Sequence, residues 1–465
     1  MNTRSMICRR RPKMEPLEQR ALLAAVLVTD NADLGPGTFR AAIEQANEDS
    51  AVDTIRFVRN LGVIETNSPI EFSGAQSIDI RGRGTTVQPS TEADAEATEE
   101  TDFDLFLSSG GADLSIRDVT FQGSRSSGIS VPVPVGASGT VNVQLNRVSL
   151  VDNDLYGLHI DDHTNASPAS IRLSMTRTDV IGNGSKSGSP DFDGVRVDEG
   201  GQGDIVVNIR SATVQDNAAD GVELDERGEG DVILRARHST FNNNGTQPQL
   251  TDDLEDGLDI DESGDGGIRV NLVNVQANGN EDEGIDFDEQ GRGDLVANLF
   301  RVQANGNLDE NIKFFEDADA EPPDPNDFDL TDPDEIEAFN DALANVNEDA
   351  SGDIVTKLIF VEANDSRAGD GIRFEEFGFG DIVANLLFVE ADSNDDAGIQ
   401  ISEGSALYDD PDVNLPGQNA GDLIMRLIGS RVTNNGDKGV QVEQLSTGDD
   451  FGRLQIRVTA FDANG

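Results

Sequence analysis

The stretch DGVRVDEGGQGDIVVNIRSATVQDNAA, residues 193–219, is one copy of a unit that the chain repeats. After Gly194 comes a short alternation in which Val195 and Val197 face one way and Arg196 and Asp198 the other. A glycine turn, GGQGD, follows. Ile205, Val207 and Ile209 then alternate inward along a second strand, and QDNAAD turns the chain again. The anchor glycine recurs at Gly221, Gly257, Gly284, Gly371, Gly398 and Gly439, with Asn311 once in its place and looser copies at Gly128 and Gly157. The intervals 194–221, 257–284, 284–311 and 371–398 are each 27 residues. A fixed period of this size marks a solenoid. Strands broken by Gly and Asn turns, with no room for a helix, make it a parallel β-helix. Asn217, Asn280, Asn307, Asn394 and Asn435 align at one corner, which predicts a structural asparagine ladder. About twelve coils at roughly 4.8 Å each predict a rod on the order of 60 Å long.

Composition narrows the partners. Of 465 residues, 36% are hydrophobic, enough for a core, and the formal net charge is −55. Nucleic acid and anionic membrane surfaces would repel such a chain. No run of 18 apolar residues predicts a membrane span. The single cysteine, Cys8, excludes a disulfide framework.

The first 28 residues, MNTRSMICRRRPKMEPLEQRALLAAVLV, place basic residues before a short apolar run with small residues at Ala24 and Ala25. That order reads as an export leader over residues 1–25. MEPLEQRALLA resembles the LEPR-x-LL motif at the N-terminus of large bacterial surface and secreted proteins. Glu15, Leu17, Glu18, Arg20, Leu22 and Leu23 fit, while Gln19 replaces the usual proline. The resemblance implies a secreted or cell-surface protein. Residues 26–50 form the expected N-terminal cap. There Phe39, Ala42, Ile43 and Ala46 make a helical stripe over 38–47, and Arg40 and Glu44 form an outward pair. The segment VTDNADLGPGTFRAAIEQAN…DTIRF resembles the leading motif of bacterial secreted right-handed β-helix proteins of the pectate-lyase-like fold, and handedness rests on that resemblance. The expectation is an all-β, right-handed parallel β-helix solenoid over 51–465, with inserts near 89–102, 318–350 and 405–419. In the second insert Ile336, Phe339, Leu343 and Val346 predict one amphipathic helix.

The carboxylates also repeat. Asp198, Asp225, Asp261 and Asp288 share one outward position, with Glu199, Glu226, Glu262 and Glu289 next at the strand's end. Asp204, Asp231, Asp294, Asp353, Asp381 and Asp422 form a further column. Like charges roughly 5 Å apart repel by roughly 1 kcal/mol in water and more in a protein. Calcium, which takes six to eight oxygen ligands with loose geometry, would relieve this. A solvated, salt-adapted acidic face is the equal alternative. Neither an EF-hand nor a GGxGxD nonapeptide is matched in full.

For catalysis, the resemblance implies that a lyase would need calcium and an Arg or Lys base, for which Arg196, Lys313 and Arg373 are placed. The family's hydrolase pattern of spread aspartates, Gly-His-Gly and Arg-x-Lys is absent. LHIDDHT groups His159, Asp161, Asp162 and His163, and His159, Asp161 and Arg196 are the candidate catalytic set. With no Trp and two Tyr, aromatic sugar platforms look scarce, and Phe287, Phe314 and Phe374 read as core stacks. The expectation is a non-catalytic structural or adhesive protein, calcium-stabilised at most, meeting extracellular polysaccharide or other surface proteins. The alternative is a carbohydrate-active enzyme, either a polysaccharide lyase or a glycoside hydrolase.

Overall fold

In the computed structural model the described residues are 24–90, 102–163, 166–185, 192–246, 255–317, 338–339, 352–377, 380–403, 421–444 and 452–459. Residues 1–23 of the expected leader, nearly all of the helix expected around Phe339, and most of each insert lie outside them, whereas Ala24 and Ala25 belong to the fold.

The chain winds as a right-handed parallel β-helix. Each coil gives one strand to a narrow sheet and two to a wide one. In the repeat quoted above these are Val195–Glu199, then Ile205–Arg210 and Thr213–Gln215. The narrow sheet has 12 strands and the wide sheet 21 among the described residues. Register follows the repeat: Val195 pairs with Val222, Val222 with Leu258, and Ile285 bridges Leu258 and Ile312. This row lies in one continuous core. Because inward residues stack on like residues, a side chain worth roughly 1.5–3 kcal/mol when buried is repeated coil after coil. Phe287, Phe314 and Phe374 stack in it as expected, with centroids 5.7 and 4.8 Å apart.

The cap helix spans Phe39–Glu48, and its buried face is Phe39, Ala42, Ile43 and Ala46. Thr38 starts it, its hydroxyl accepting from the Ala41 amide at 3.2 Å. Arg40 departs from expectation. It does not lie outward with Glu44 but clamps the cap to the first coils, donating to Asp33 Oδ1 at 2.9 Å and to the Pro69 carbonyl at 2.6 Å. A strand before the helix, Ala24–Val28, pairs with Val52–Phe57 and completes the covering of this end.

The asparagine ladder is longer than the aligned residues predict. Nδ2 of each residue donates to Oδ1 of the next from Asn153 through Asn183, Asn217, Asn244, Asn280 and Asn307, at 2.8–3.2 Å. At the next coil Ser366 stands in the ladder position. Asn311, which replaces an anchor glycine, fills the gap. It accepts from Asn307 Nδ2 at 2.8 Å and donates to Asn394 Oδ1 at 3.0 Å, and Asn394 passes the chain to Asn435. One substitution in the glycine row thus repairs one in the asparagine row.

Removing a rung strands buried amides on both sides, at about 1–3 kcal/mol for each group left unpaired. Asn217→Ala should therefore lower denaturant-measured stability by about 2–4 kcal/mol, against less than about 0.5 kcal/mol for Glu44→Ala on the exposed face of the cap helix. Equal effects of the two would show that the ladder carries no stability.

Candidate active site

The stacked carboxylates have three different fates. Oδ1 of Asp204 accepts the Asp231 amide at 3.2 Å, Asp294 the Asp353 amide at 3.2 Å, and Asp353 the Asp381 amide at 2.8 Å. This column is a structural ladder after the glycine turn.

Glu199, Glu226, Glu262 and Glu289 are fully buried. They point into the glycine turn of their own coil and not out along the edge. Glu199 accepts the amides of Gly201 and Gly203 at 2.9 and 3.3 Å, and Glu226 those of Gly228 and Gly230 at 3.0 and 3.3 Å. The glycines are required there: a Cβ on Gly228 would sit 1.6 Å from the Gly201 carbonyl oxygen. Burial, together with carboxyl-to-carboxyl hydrogen bonds and repulsion between rungs, pushes Glu199, Glu226 and Glu262 up to about 8. Burial raises Glu289 likewise. At neutral pH these stacked acids hold protons, which removes the repulsion that a cation was expected to relieve.

The outward face of the narrow sheet is the third case. His159, Arg196, Glu223 and Asp259 lie in one register row, and Asp161, Asp198, Asp225, Asp261 and Asp288 in the next. His159 meets Asp198 of the following coil, Nε2 to Oδ2 at 2.7 Å, and not Asp161. Asp161 accepts the His163 amide at 2.9 Å. Arg196 donates from Nε to Asp198 Oδ1 at 2.8 Å and is ion-paired with Glu223. Burial alone would raise Asp198, but the His159 hydrogen bond and the Arg196 charge outweigh it and hold the carboxyl below its ordinary value. The Tyr156 ring packs 4.4 Å from that of His159. The structure thus joins His159, Asp198 and Arg196 and leaves Asp161 to a turn.

Beyond Arg196 the face sinks into a trough of about 310 Å³. Ten carboxyl residues line it: Asp220, Glu223, Glu255, Asp256, Asp259, Asp261, Asp282, Glu283, Asp286 and Asp288. Lys313 enters from the far end, its Nζ 2.6 Å from Asp286 Oδ2 and 3.5 Å from Asp288 Oδ1. In the adjoining coil Arg373 donates to Glu310 and Glu375 at 2.8 and 2.6 Å. Cations therefore bracket a carboxyl-filled middle. Burial works to lower Lys313, yet the charges of Asp286, Asp288 and Glu283 win and hold it strongly protonated. Burial first, then mutual repulsion, drives Asp256, Asp259 and Glu283 well upward. Asp261 reaches about 7 and Asp282 about 6 by the same causes. Both change protonation close to neutrality, the condition for acid–base transfer.

The residue before each anchor glycine was not singled out in the sequence, although an acid–Gly pair opens most repeats. One oxygen of these residues serves the coil, as Asp256 Oδ1 accepts the Glu283 amide at 2.7 Å. For a hard cation the donors fit: oxygens of Glu223, Asp259 and Asp261, and of Asp256, Asp259 and Asp286, lie within 4.8 Å of one another. Asp286 Oδ1 is buried without a hydrogen-bond partner, while Asp288 Oδ1 faces Lys313 Nζ at 3.5 Å. Of the eight expected metal ligands, Asp261 and Asp288 line this trough, while the four glutamates are taken up inside the turns.

No protein-family model matches the chain, and no curated protein matches its sequence. Solved structures resemble it as a fold. A pectate lyase, Pel9A, superposes with a TM-score of 0.42 at 15% identity over 68% of this chain and 85% of its own. The A-module of the Azotobacter vinelandii mannuronan C-5 epimerase AlgE6 gives 0.37 at 10% identity, over 94% and 97%. The catalytic domain of a GH87 alpha-1,3-glucanase gives 0.30 at 11% identity, over 91% and 69%. All three are polysaccharide-acting enzymes. The expected non-catalytic, adhesive reading is corrected on that finding. Among the described residues no helix is long and apolar enough to cross a membrane.

The glutamate ladder has a testable pH signature. Its folded values lie above the ordinary carboxyl value of 4.5. The native state then binds more protons than the unfolded chain between about pH 4.5 and 8. Stability from this ladder is complete below that window and falls as pH rises through it. Melting temperature should drop from pH 5 to pH 8, and Glu226→Gln/Glu262→Gln should flatten the slope. An unchanged slope in the double variant would rule the ladder out as its source.

Proposed function

We propose that the protein is an exported carbohydrate-active enzyme that hydrolyses a neutral polysaccharide in the carboxyl trough of the narrow sheet. The observation that carries this is Asp261 and Asp282 in one trough, both shifted by burial to within about a unit of neutrality. One of the two serves as general acid toward the leaving oxygen and the other as the base that activates water. Glu283, pushed up to about 10 and so protonated, donates a hydrogen bond to a sugar hydroxyl, and Lys313 and Arg196 close the two ends of the site. The chain's formal net charge of −55 disfavours a polyuronate and tolerates an uncharged glycan. Export is supported by the basic-then-apolar leader with its LEPR-like residues.

A calcium-dependent lyase acting on a uronan is the second reading, favoured by the Asp286 Oδ1 left without a hydrogen-bond partner and by the clustered donors. Glu223, Asp259 and Asp261 would hold the cation, which would supply charge neutralisation to a uronate carboxylate. Lys313 is a poor proton acceptor for such a reaction, because its carboxylate neighbours keep it charged. Arg373 is held in the same way by Glu310 and Glu375. Hydrolysis is the better-supported reading for that reason.

The test is product analysis on a panel of neutral and uronate polysaccharides. New reducing ends from a neutral glycan, without unsaturated sugars, are expected. Asp261→Asn and Asp282→Asn should each lower kcat by about 10²-fold or more, and the parent rate should pass through a maximum between about pH 6 and 7. Unsaturated product from a uronan, formed only with calcium, would replace this reading with the second. No product from any glycan would overturn both.

A further inference from the structure

The two wide-sheet strands of each coil meet at a bend that asks for one residue in left-handed backbone. The row includes His238, Asn274, Arg301, Phe360, Phe388 and Gly429, at φ of 54, 52, 55, 56, 56 and 64°. Glycine and asparagine meet this demand at least cost. A bulky phenylalanine there is an outlier. Even so, Phe360 and Phe388 occupy it and remain 46% and 50% exposed. Their rings stack at 5.0 Å and 11°, Phe300 stands edge-on to Phe360 at 6.0 Å, and the Arg301 guanidinium lies 5.0 Å over Phe300. Core packing accounts for none of this.

Beside the platform runs a groove of about 460 Å³, to which His238, Thr240, Gln276, Gln303, Phe360 and Glu362 contribute. Its floor is a row of amides: Gln276 Nε2 donates to Gln303 Oε1 at 2.8 Å, and Gln303 Nε2 to Glu362 Oε2 at 2.7 Å. Arg301 and Glu362 are the charged residues of its lining, in a chain whose net charge is −55.

We propose that this groove is a second binding site, for an extended neutral glycan lying along the rod axis. The apolar C–H face of a pyranose packs on the Phe360 and Phe388 rings, and ring hydroxyls exchange hydrogen bonds with Gln276, Gln303 and His238. Coils advance by roughly 4.8 Å, close to the advance of one hexose unit in an extended chain, so each coil faces one sugar. A polyuronate would be repelled by the rod and find one arginine in compensation. The groove lies on the wide sheet and the carboxyl trough on the narrow one, so binding here stands apart from the catalytic reading.

The experiment is native affinity electrophoresis of the full chain in gels cast with soluble β-glucan, galactomannan, xylan or polygalacturonate. Retardation by at least one neutral polysaccharide, and none by polygalacturonate, is expected. Phe360→Asn/Phe388→Asn, which suits the bend backbone, should weaken that retardation at least tenfold without lowering the melting temperature. Asp261→Asn should leave it as in the parent, whatever it does to hydrolysis. A parent that no neutral polysaccharide retards, or a double variant retarded equally, overturns the proposal. So does a double variant that turns a dimer into a monomer in sedimentation with retardation unchanged, since the face would then join two copies of the chain.

Discussion

Parallel strands hydrogen-bonded coil upon coil place every side chain roughly 4.8 Å above its own counterpart. The rest of the structure depends on this constraint. Apolar residues gain from it, as the Val195–Val222–Leu258 row shows. Amides gain too, because an asparagine both donates and accepts and can bond its copy above and below. Ionised carboxylates can only accept, and stacking sets them against each other. How each acidic column escapes that conflict decides what it does. The Asp204 column accepts the amide of the next coil. The Glu199 column retreats among glycine amides and keeps its protons. The outward columns are bracketed by Arg196 at one end and Lys313 at the other.

Only the outward solution leaves reactive groups facing solvent. Between the two cations the carboxyls lack enough positive charge to ionise together, so their protonation is spread from about 6 at Asp282 to about 10 at Glu283. Such a spread, made by burial and by like neighbours, is what acid–base chemistry at neutral pH requires. The fold needs no special loop to assemble it. Three successive copies of one repeat suffice, with cations substituted in the copies on either side.

How much of this the sequence discloses follows from what a period can reveal. The 27-residue spacing and the alternation in GVRVDE expose the coil, its core row and the cap helix, since each is a matter of periodicity. The ladder was legible at Asn217 and Asn280 but not at Asn244, where the repeat runs into the insert that follows it. Asn311 read as a stand-in for glycine because its role depends on Ser366, 55 residues later in the chain. Glu226 could not be told from an outward ligand: strand alternation fails at the strand's end, and Asp225 and Glu226 are both buried. Phe360 and Phe388 look like Phe314 in the sequence, and only the bend geometry separates surface from core. The pairing of His159 with Asp198 crosses 39 residues, so the local LHIDDHT cluster pointed to the wrong aspartate.

The central claim is that stacked carboxyls persist here by holding protons. Infrared spectroscopy in heavy water sees the C=O stretch of a protonated carboxyl apart from the carboxylate bands. At neutral pH the protein should show that band, weakening as pH rises through about 8 and reduced in Glu226→Gln/Glu262→Gln. A spectrum at neutral pH in which every carboxyl is ionised would contradict the account, and some other counter-charge would then have to hold the rod together.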